Sequence, residues 1–262
     1  GKIDINDLEW TYLKADGDFK SEEIKKLRDE ADIIITNPPF SLFRDFLAWI
    51  VEANKKFVIV GSKNVITYKE VFPLIKANKM WVGTTSFSKD MLFISPEKVD
   101  PTTKPSSATR IVDGIVYLRS PSVWYSNLDH GRRHQSLPLM SMQDNIKFSK
   151  HKEIKGKEYQ KYDNYNAIDV PFTDAIPTDY DGVMGVPISF LDKYCPEQFE
   201  IIWRGGDIEW AEKECNFFTP PSQDKATEYK KQDVTWRIQN PYLLTDGKVR
   251  TVYQRILIKS KQ

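Results

Sequence analysis

Short, continuous hydrophobic runs mark the first third of the chain. Residues 33–35 are three consecutive isoleucines, and residues 57–60 are a second run that is rich in β-branched side chains. Runs of this kind are typical of strands in a parallel sheet that helices cover on both faces. We therefore predict buried strands at residues 33–35 and 56–61.

Helical repeats of apolar residues lie between and beside these runs. Ser41 is positioned to cap a helix that extends to about residue 53. Further helices are predicted over residues 21–30 and 67–78. Strands and helices that alternate with short connections predict parallel pairing and an α/β fold. In the predicted helix that follows Ser41, the apolar face consists of Phe43, Phe46, Leu47, Ile50 and Val51.

Beyond residue 79 the pattern changes to short strands without helices between them. Such strands favour antiparallel pairing at the edge of the sheet. From residue 135 onward the chain is irregular, with scattered apolar runs that predict a mixed second domain. The predicted strands of the whole region lie near residues 80–83, 91–94, 114–118, 123–125, 186–191, 199–203 and 252–258.

The isoleucine strand ends at Asn37-Pro38-Pro39-Phe40. Neither proline can extend a sheet, because proline lacks a backbone N–H and has a fixed φ angle. Open α/β sheets bind their ligands at the carboxyl ends of strands. There the Asn37 carboxamide oxygen and the Pro38 carbonyl are two acceptors that suit a planar NH2 group, and Phe40 can stack on its ring. A purely structural turn is the alternative interpretation.

Composition narrows the function classes. The 262 residues allow one large domain or two small ones. With 38 basic and 37 acidic residues, any nucleic-acid surface must be local. Cys195 and Cys215 are too few for a disulfide framework or a zinc site, which fits a reduced, cytoplasmic setting. No apolar run is long enough to span a membrane.

A basic cluster in the second half is a candidate DNA contact. Arg132 and Arg133 lie between His130 and His134 on a loop that contains glycine, and arginines so placed can grip phosphates or read guanine edges. A solvated loop or an internal ion pair is the alternative. The two histidines have a metal-compatible spacing, but no third ligand is evident, so we predict no metal.

Two features near the start of the chain also have alternative interpretations. Residues 1–7 are similar to the rear half of a calcium-binding loop, but the first carboxylate positions are missing, so an Asp/Asn-rich turn is favoured. Residues 8–15 are a candidate strand that leads to Asp18 and Phe19. By its position before a predicted helix, Asp18 is a turn or N-cap residue unless it contacts a ligand.

As a set, several stretches resemble the EcoRI-type adenine-specific DNA methyltransferases. Amino-methyltransferases carry the signature (Asp/Asn/Ser)-Pro-Pro-(Tyr/Phe/Trp), which residues 37–40 match. The resemblance covers essentially the whole chain. The remaining stretches that carry it are Asp18-Phe19 and residues 34–43, 124–133, 184–191 and 253–258.

The resemblance implies a fold and a division of the chain. Residues 1–128 are expected to form a Rossmann-like, class I sheet of the type that binds S-adenosylmethionine (SAM), incomplete at its N-terminal side. Residues 129–262 are expected to form a mixed α+β region that recognises double-stranded DNA.

The implied reaction is methyl transfer from SAM to N6 of a flipped adenine at a specific duplex site, in a restriction-modification or mobile-element setting. Asn37, Pro38, Pro39 and Phe40 are then catalytic residues, and Asp18, Phe19 and Asn37 contact SAM. The expected DNA contacts are Lys63, His130, Arg132 and Arg133.

One part of the family pattern is missing. The strand and small-residue loop that hold the methionine part of SAM, with the acidic residue for its ribose, do not occur before residue 16. We interpret the chain, which begins with Gly1, as a piece whose partner is an upstream segment of the same polypeptide. The alternatives are an inactive DNA-binding or interaction module, or a methyltransferase that acts on RNA or on a protein amide.

Overall fold

The protein is described from a computed structural model. The four helices of the described part are α1 (Glu22–Glu30), α2 (Phe43–Glu52), α3 (Phe72–Lys76) and α4 (Met142–Phe148). Residues 242–245 and 248–251 are described by their backbone alone, and residues 1–7 and Cys215 lie outside the described residues. The described residues are 12–14, 16–87, 89–94, 108–113, 115–204, 242–245, 248–251 and 254–261.

Thirteen strands of the described residues form four sheets. The first sheet has the order β1-β2-β7-β3, the second β10-β13-β9-β8, the third β4-β6-β5 and the fourth β11-β12. The strands are β1 (Ile33–Thr36), β2 (Lys56–Ser62), β3 (Trp81–Val82), β4 (Met91–Ile94), β5 (Thr109–Val112), β6 (Ile115–Ser120), β7 (Ser122–Ser126), β8 (Ala167–Asp169), β9 (Val183–Pro187), β10 (Phe199–Arg204), β11 (Tyr242–Thr245), β12 (Lys248–Thr251) and β13 (Arg255–Ser260).

The predicted parallel unit is confirmed in the first sheet. β1 and β2 pair in parallel, with Thr36 opposite Ile59, and α2 connects them. β7 pairs antiparallel with β2 on one side and with β3 on the other. The mixed α/β character is therefore confirmed: β7 runs opposite to the parallel pair, and β3 runs in the same direction as the pair.

The prediction that the isoleucine strand is buried on both faces is wrong. Ile33 and Ile35 are 45% and 69% exposed, whereas Ile34 packs against the core. β1 is an edge strand of its sheet in the described part of the chain, and only the face toward α2 is covered. A continuous apolar run specifies a strand, but it does not specify how many layers cover it.

Two helix predictions also need correction. Ser41 does not cap α2, because residues 40–42 form a 3-10 helix and Leu42, without a side-chain cap, precedes the helix. The helix predicted over residues 67–78 is reduced to α3, which begins near Pro73. Ser62 instead caps a 3-10 helix over residues 63–67, and Tyr68 then takes an extended conformation.

The other element predictions fare better. Ser21 caps α1 by accepting from the Ile24 amide, and its carboxyl-rich first turn is as expected. The strands predicted near residues 91–94 and 199–203 are observed as β4 and β10. Of the strand predicted at 8–15, residues 12–14 have no strand conformation and the rest lies outside the described residues. The run at 186–191 leaves β9 at Pro187 and continues as a 3-10 helix.

One hydrophobic core extends under the first and second sheets. The inner face of α2, formed by Phe43, Leu47 and Ile50, packs on β2. These side chains belong to one buried cluster that also includes core residues of β9, β10 and β13. Phe72 of α3 meets Trp203 of β10 edge to face, with ring centroids 5.3 Å apart. This packing fixes α2, and with it the loop that precedes α2, against the first sheet.

Candidate active site at the carboxyl edge of the first sheet

The Asn37–Phe40 loop lies directly after β1 and presents two ligand-facing groups. Pro38 is buried, whereas Asn37 is exposed and Phe40 is 46% exposed. Within the described residues, neither the Asn37 carboxamide nor the Pro38 carbonyl has a hydrogen-bond partner. The Leu42 amide donates to the Pro39 carbonyl at 2.9 Å, which closes the turn. The amide and the ring therefore remain available to a ligand on a loop that is anchored at Pro38.

Lys63 lies at the same edge, because β1 and β2 are parallel and Lys63 follows β2. Its ammonium group is 2.8 Å from an Asp90 carboxylate oxygen, and Arg119 Nε donates to the other oxygen at 2.9 Å. The pKa of Asp90 is lowered, first by the Lys63 hydrogen bond and then by Arg119. Lys63 is thus brought close to the loop, but its charge is engaged by Asp90.

Asp18 and Phe19 lie in the turn before α1. One Asp18 carboxylate oxygen accepts from the Lys20 amide at 2.9 Å, which is the turn role considered above. The Phe19 ring packs edge to face against Phe46 and Trp49 of α2, with centroids 5.3 and 5.6 Å apart. Since α2 begins three residues after Phe40, this turn is connected to the loop through a single helix.

The cavity beside this turn has a volume of about 580 Å³. Its walls combine aromatic rings with carboxylates and one ammonium group. Lys20 pairs with Asp45 across it, at 3.3 Å. The lining residues are Phe19, Lys20, Asp45, Ala48, Trp49 and Glu52.

The basic cluster lies beside β3, the outer strand on the opposite side of the first sheet from β1. Arg132 donates to the Thr84 carbonyl at 2.7 Å, and His130 lies 3.4 Å from the Val82 carbonyl at the end of β3. β3 and β1 are separated by β7 and β2, which is three interstrand steps or roughly 14 Å. The structure therefore groups Lys63 with the Asn37 loop and keeps His130 and Arg132 apart from it.

Arg133 has the internal arrangement that was the alternative for this cluster. It is buried, its guanidinium lies 3.6 Å from the centroid of the Trp81 ring, and it donates to Asp129 at 2.6 Å. It also donates to the Asn78 carboxamide oxygen. A planar guanidinium that stacks on a ring and donates to two acceptors holds the 131–134 turn against β3.

His134 forms an ion-pair clamp with two acidic residues. Its Nε2 lies 2.8 Å from Asp129, and its Nδ1 lies 2.8 Å from Glu197, which precedes β10. The pKa of His134 is raised, first by the Asp129 hydrogen bond and then by Glu197. The pKa of Asp129 is lowered, with His134 as the largest cause. When the imidazole is charged, both contacts are ion pairs that connect the loop to the second sheet.

This clamp predicts a pH dependence of stability. Because the folded-state pKa of His134 is raised, its contribution is complete below its ordinary value of about 6.5 and is lost as the pH rises through the raised folded value. The free energy of unfolding is measured by urea titration at pH 6 and pH 9. We expect the contribution of His134 to be lost between these pH values in wild type, and this loss to be absent in His134→Gln. An identical pH dependence in wild type and variant would contradict the clamp.

Sequence reasoning missed the acidic partners of this region. Asp90 and Asp129 hold the predicted contacts Lys63 and Arg133, and Glu197 holds the neighbouring His134, but only Asp129 is close to its partners in sequence. Glu197 lies 63 residues from His134. The basic residues gave a signal because they cluster in sequence, whereas their partners come together only through the fold.

Comparison with known proteins decides the family. The model of the family described as adenine-specific methyltransferase EcoRI matches residues 1–261 of the chain. The chain belongs to this family. The resemblance carried by the Asn37–Phe40 loop and the other stretches is thereby confirmed. No solved structure matches the chain.

Members of the EcoRI methyltransferase family with curated descriptions include three similar proteins. The type II methyltransferase M.EcoRI of Escherichia coli is 43% identical over 205 residues, which are 77% of this chain and 59% of that protein. M.MgeORF184P of Mycoplasma genitalium is 36% identical over 207 residues, or 76% of this chain and 60% of the relative. M.MpnI of Mycoplasma pneumoniae is 34% identical over 205 residues, with the same coverages. The chain thus matches about three fifths of the length of these relatives.

The described residues show neither a metal-binding cluster nor a membrane-spanning helix. Their His, Cys, Asp and Glu side chains form no group of three or more with the geometry to hold a metal ion. None of the helices in the described ranges combines the length and apolar character that crossing a bilayer requires.

Proposed function

We propose that this member of the EcoRI methyltransferase family is the part of a DNA methyltransferase that binds the target adenine. The enzyme transfers a methyl group from SAM to N6 of that adenine. The supporting observation is the Asn37–Phe40 loop. Its two acceptors without partners among the described residues and its half-exposed ring lie together at the carboxyl edge of a parallel strand pair. We place the protein in the cytoplasm, acting at a specific duplex site in a restriction-modification setting.

The loop residues have distinct tasks in this reaction. The Asn37 carboxamide oxygen and the Pro38 carbonyl accept the two N6 hydrogens, so the amine is held with its lone pair directed away from both. Extrusion of the adenine from the duplex costs a few kcal/mol of stacking and pairing. Phe40 recovers part of this by stacking on the flipped base, worth roughly 1–3 kcal/mol. Pro39 fixes the turn between them.

The cavity beside Phe19 fits the adenosyl part of SAM. Aromatic surface from Phe19 and Trp49 suits a purine, and the carboxylates of Asp45 and Glu52 suit ribose hydroxyls. When bound, SAM supplies a methyl group on a positively charged sulfur. Asp18 and Phe19 would hold the adenosyl part, and Asn37 would contact SAM as well as adenine. Most of the rate acceleration comes from holding the two substrates together.

The open edge of β1 supports a further strand beside it. β1 is the outer strand of its sheet within the described residues, and backbone groups at an unpaired edge readily accept another strand. We propose that an upstream segment of the same polypeptide pairs with β1 and completes a Rossmann-like sheet. The coverage of the relatives is consistent with a longer protein.

For DNA binding we propose residues 129–262 as the recognition region, next to a catalytic part formed by residues 1–128. Arg132 is the main residue that contacts the duplex. Its side chain is only partly buried, and its hydrogen-bond partner is a carbonyl rather than a carboxylate. His130 lies beside it. Lys63 and Arg133 contribute positive charge from within their ion pairs with Asp90 and Asp129.

Replacement of Phe19 by alanine tests the cofactor site. We expect the dissociation constant for SAM, measured by calorimetric titration, to rise about 10-fold or more, because one stacked ring contributes roughly 1–3 kcal/mol. Phe148→Ala is the control for loss of a phenylalanine ring elsewhere, since Phe148 is an exposed ring on α4, whereas Phe19 is half-buried. Equal SAM affinity of wild type and Phe19→Ala would contradict the site.

The same titration tests the function as a whole. Binding of SAM by this chain, or recovery of binding when the upstream segment is restored, is the expected result. If neither polypeptide binds SAM, the methyltransferase proposal fails and a DNA-binding module remains.

A further inference from the structure

Gly61, near the end of β2, faces α2 and leaves room for an aromatic ring. A Cβ atom at this position would lie 2.6 Å from Cε2 of Phe43 and 3.0 Å from Cε2 of Tyr125. Both distances are at or below the limit that real Cβ atoms tolerate. The absence of a side chain at residue 61 is therefore what allows the Phe43 ring to rest on the sheet.

The two rings have no room to move aside. Phe43 and Tyr125 are 1% and 0% exposed, and they meet edge to face with centroids 6.0 Å apart. The Tyr125 hydroxyl donates to the Ser62 carbonyl at 3.0 Å, which holds its ring beside Gly61. In a close-packed interior, an added methyl group is accommodated by movement of the backbone that carries the displaced ring.

Movement of Phe43 is transmitted to the candidate active site. Phe43 is the first residue of α2, and its amide donates to the Phe40 carbonyl. The Leu42 amide donates to the Pro39 carbonyl. These two hydrogen bonds therefore connect the start of α2 directly to the loop. On the sheet side, the register that pairs Thr36 with Ile59 places Pro38 level with Gly61 when it is continued by two residues.

We propose that Gly61 is a positioning residue for the methyl-transfer site. By accepting the Phe43 ring, it sets the depth at which α2 begins and hence where Asn37 and Phe40 are held. The inference rests on the proposed function for its catalytic consequence, but its structural consequence is independent of that function.

Gly61→Ala is the primary test, with two kinds of measurement. The first is amide hydrogen exchange at Leu42 and Phe43, which reports the two hydrogen bonds of the turn in the chain without any substrate. We expect faster exchange at both amides in Gly61→Ala. The second is methyl transfer to duplex DNA, for which kcat is expected to fall about 10- to 100-fold because displacement by about 1 Å suffices for such a loss. KM for DNA is expected to stay close to wild type.

Rescue by a smaller side chain separates positioning from general damage. Gly61→Ala combined with Phe43→Leu replaces the ring edge that the new methyl group would strike, and we expect it to restore slow exchange and most of kcat. Phe43→Leu alone leaves a gap at the same place and is expected to speed exchange. It also provides a test if Gly61→Ala does not fold.

Gly185→Ala is the matched control in the second sheet. Its Cβ would meet the Tyr162 hydroxyl first and would lie 2.6 Å from Cε2 of Tyr162, so the same substitution produces a clash at least as severe but remote from the loop. We expect a lower thermal midpoint but unchanged exchange at Leu42 and unchanged kcat per folded molecule. Unchanged exchange in both Gly61→Ala and Phe43→Leu would overturn the inference. Absence of methyl transfer in the wild type, even with the upstream segment restored, would instead count against the proposed function.

Discussion

Replacement of Asn37 by alanine is expected to reduce methyl transfer to adenine by about 100-fold or more, since it removes a hydrogen-bonding group aimed at the reacting amine. Asn37 is exposed and has no hydrogen-bond partner within the described residues, so its loss leaves the packing unchanged. We therefore expect an unchanged thermal midpoint and a nearly unchanged affinity for DNA. The measurement is single-turnover transfer of labelled methyl groups from SAM to duplex DNA, with N6-methyladenine identified by mass spectrometry.

Two further variants make this result specific. Asn37→Asp keeps an oxygen acceptor at the same place and is expected to retain part of the rate. Asn64→Ala removes another exposed asparagine carboxamide at the carboxyl edge of the sheet, after β2, and is expected to behave as wild type. Wild-type rates in Asn37→Ala, or an equal loss in Asn64→Ala, would count against the role of the loop.

Local sequence signals predicted the elements that surround this loop. The isoleucine run, the β-branched run before Gly61 and the Ser21 cap each act through neighbours in the chain, so the pattern is sufficient to place β1, β2 and α1. The proline pair ended β1 where it was expected to end, because proline acts on its own backbone.

The errors share a tertiary cause. The exposure of Ile33 and Ile35 depends on which elements pack on the two faces of β1. The sequence of a short strand does not specify those elements. The third predicted helix failed because Pro73 is tolerated only at its start, which moved the helix boundary past Tyr68. Arg133 carried a basic signal, but its position on the Trp81 ring is set by pairing between β3 and β7.

The candidate site shows the same division. Asn37, Pro38, Pro39 and Phe40 form a contiguous motif, so the sequence alone was enough to nominate them as candidates. Gly61 gave no signal, because a glycine at the end of a strand is common and its consequence depends on an aromatic ring from a neighbouring helix. Positions that shape the site through packing therefore need the fold to be recognised.

The second large effect is expected in the second sheet, where an ion pair is buried. Asp169 of β8 accepts from Arg255 Nε of β13 at 2.8 Å and from the Tyr162 hydroxyl at 2.6 Å. β9 lies between these strands, and Gly185 on β9, opposite Asp169, has no side chain to block the Tyr162 ring. Burial and the nearby Asp169 carboxylate raise the pKa of Tyr162, so its hydroxyl stays neutral and remains a donor.

We expect Asp169→Ala to lower the free energy of unfolding by about 3–5 kcal/mol, measured by urea titration, because a buried guanidinium loses its carboxylate partner. Asp174→Ala is the control: its carboxylate also pairs with a cation, Lys150 at 2.7 Å, but it is exposed, so a loss of about 1 kcal/mol or less is expected. Replacing both charges, as in Asp169→Leu with Arg255→Met, should recover most of the loss, since the desolvation cost of both buried charges is then removed together with their attraction. If Asp169→Ala and Asp174→Ala are equally mild, the pair does not stabilise the second sheet.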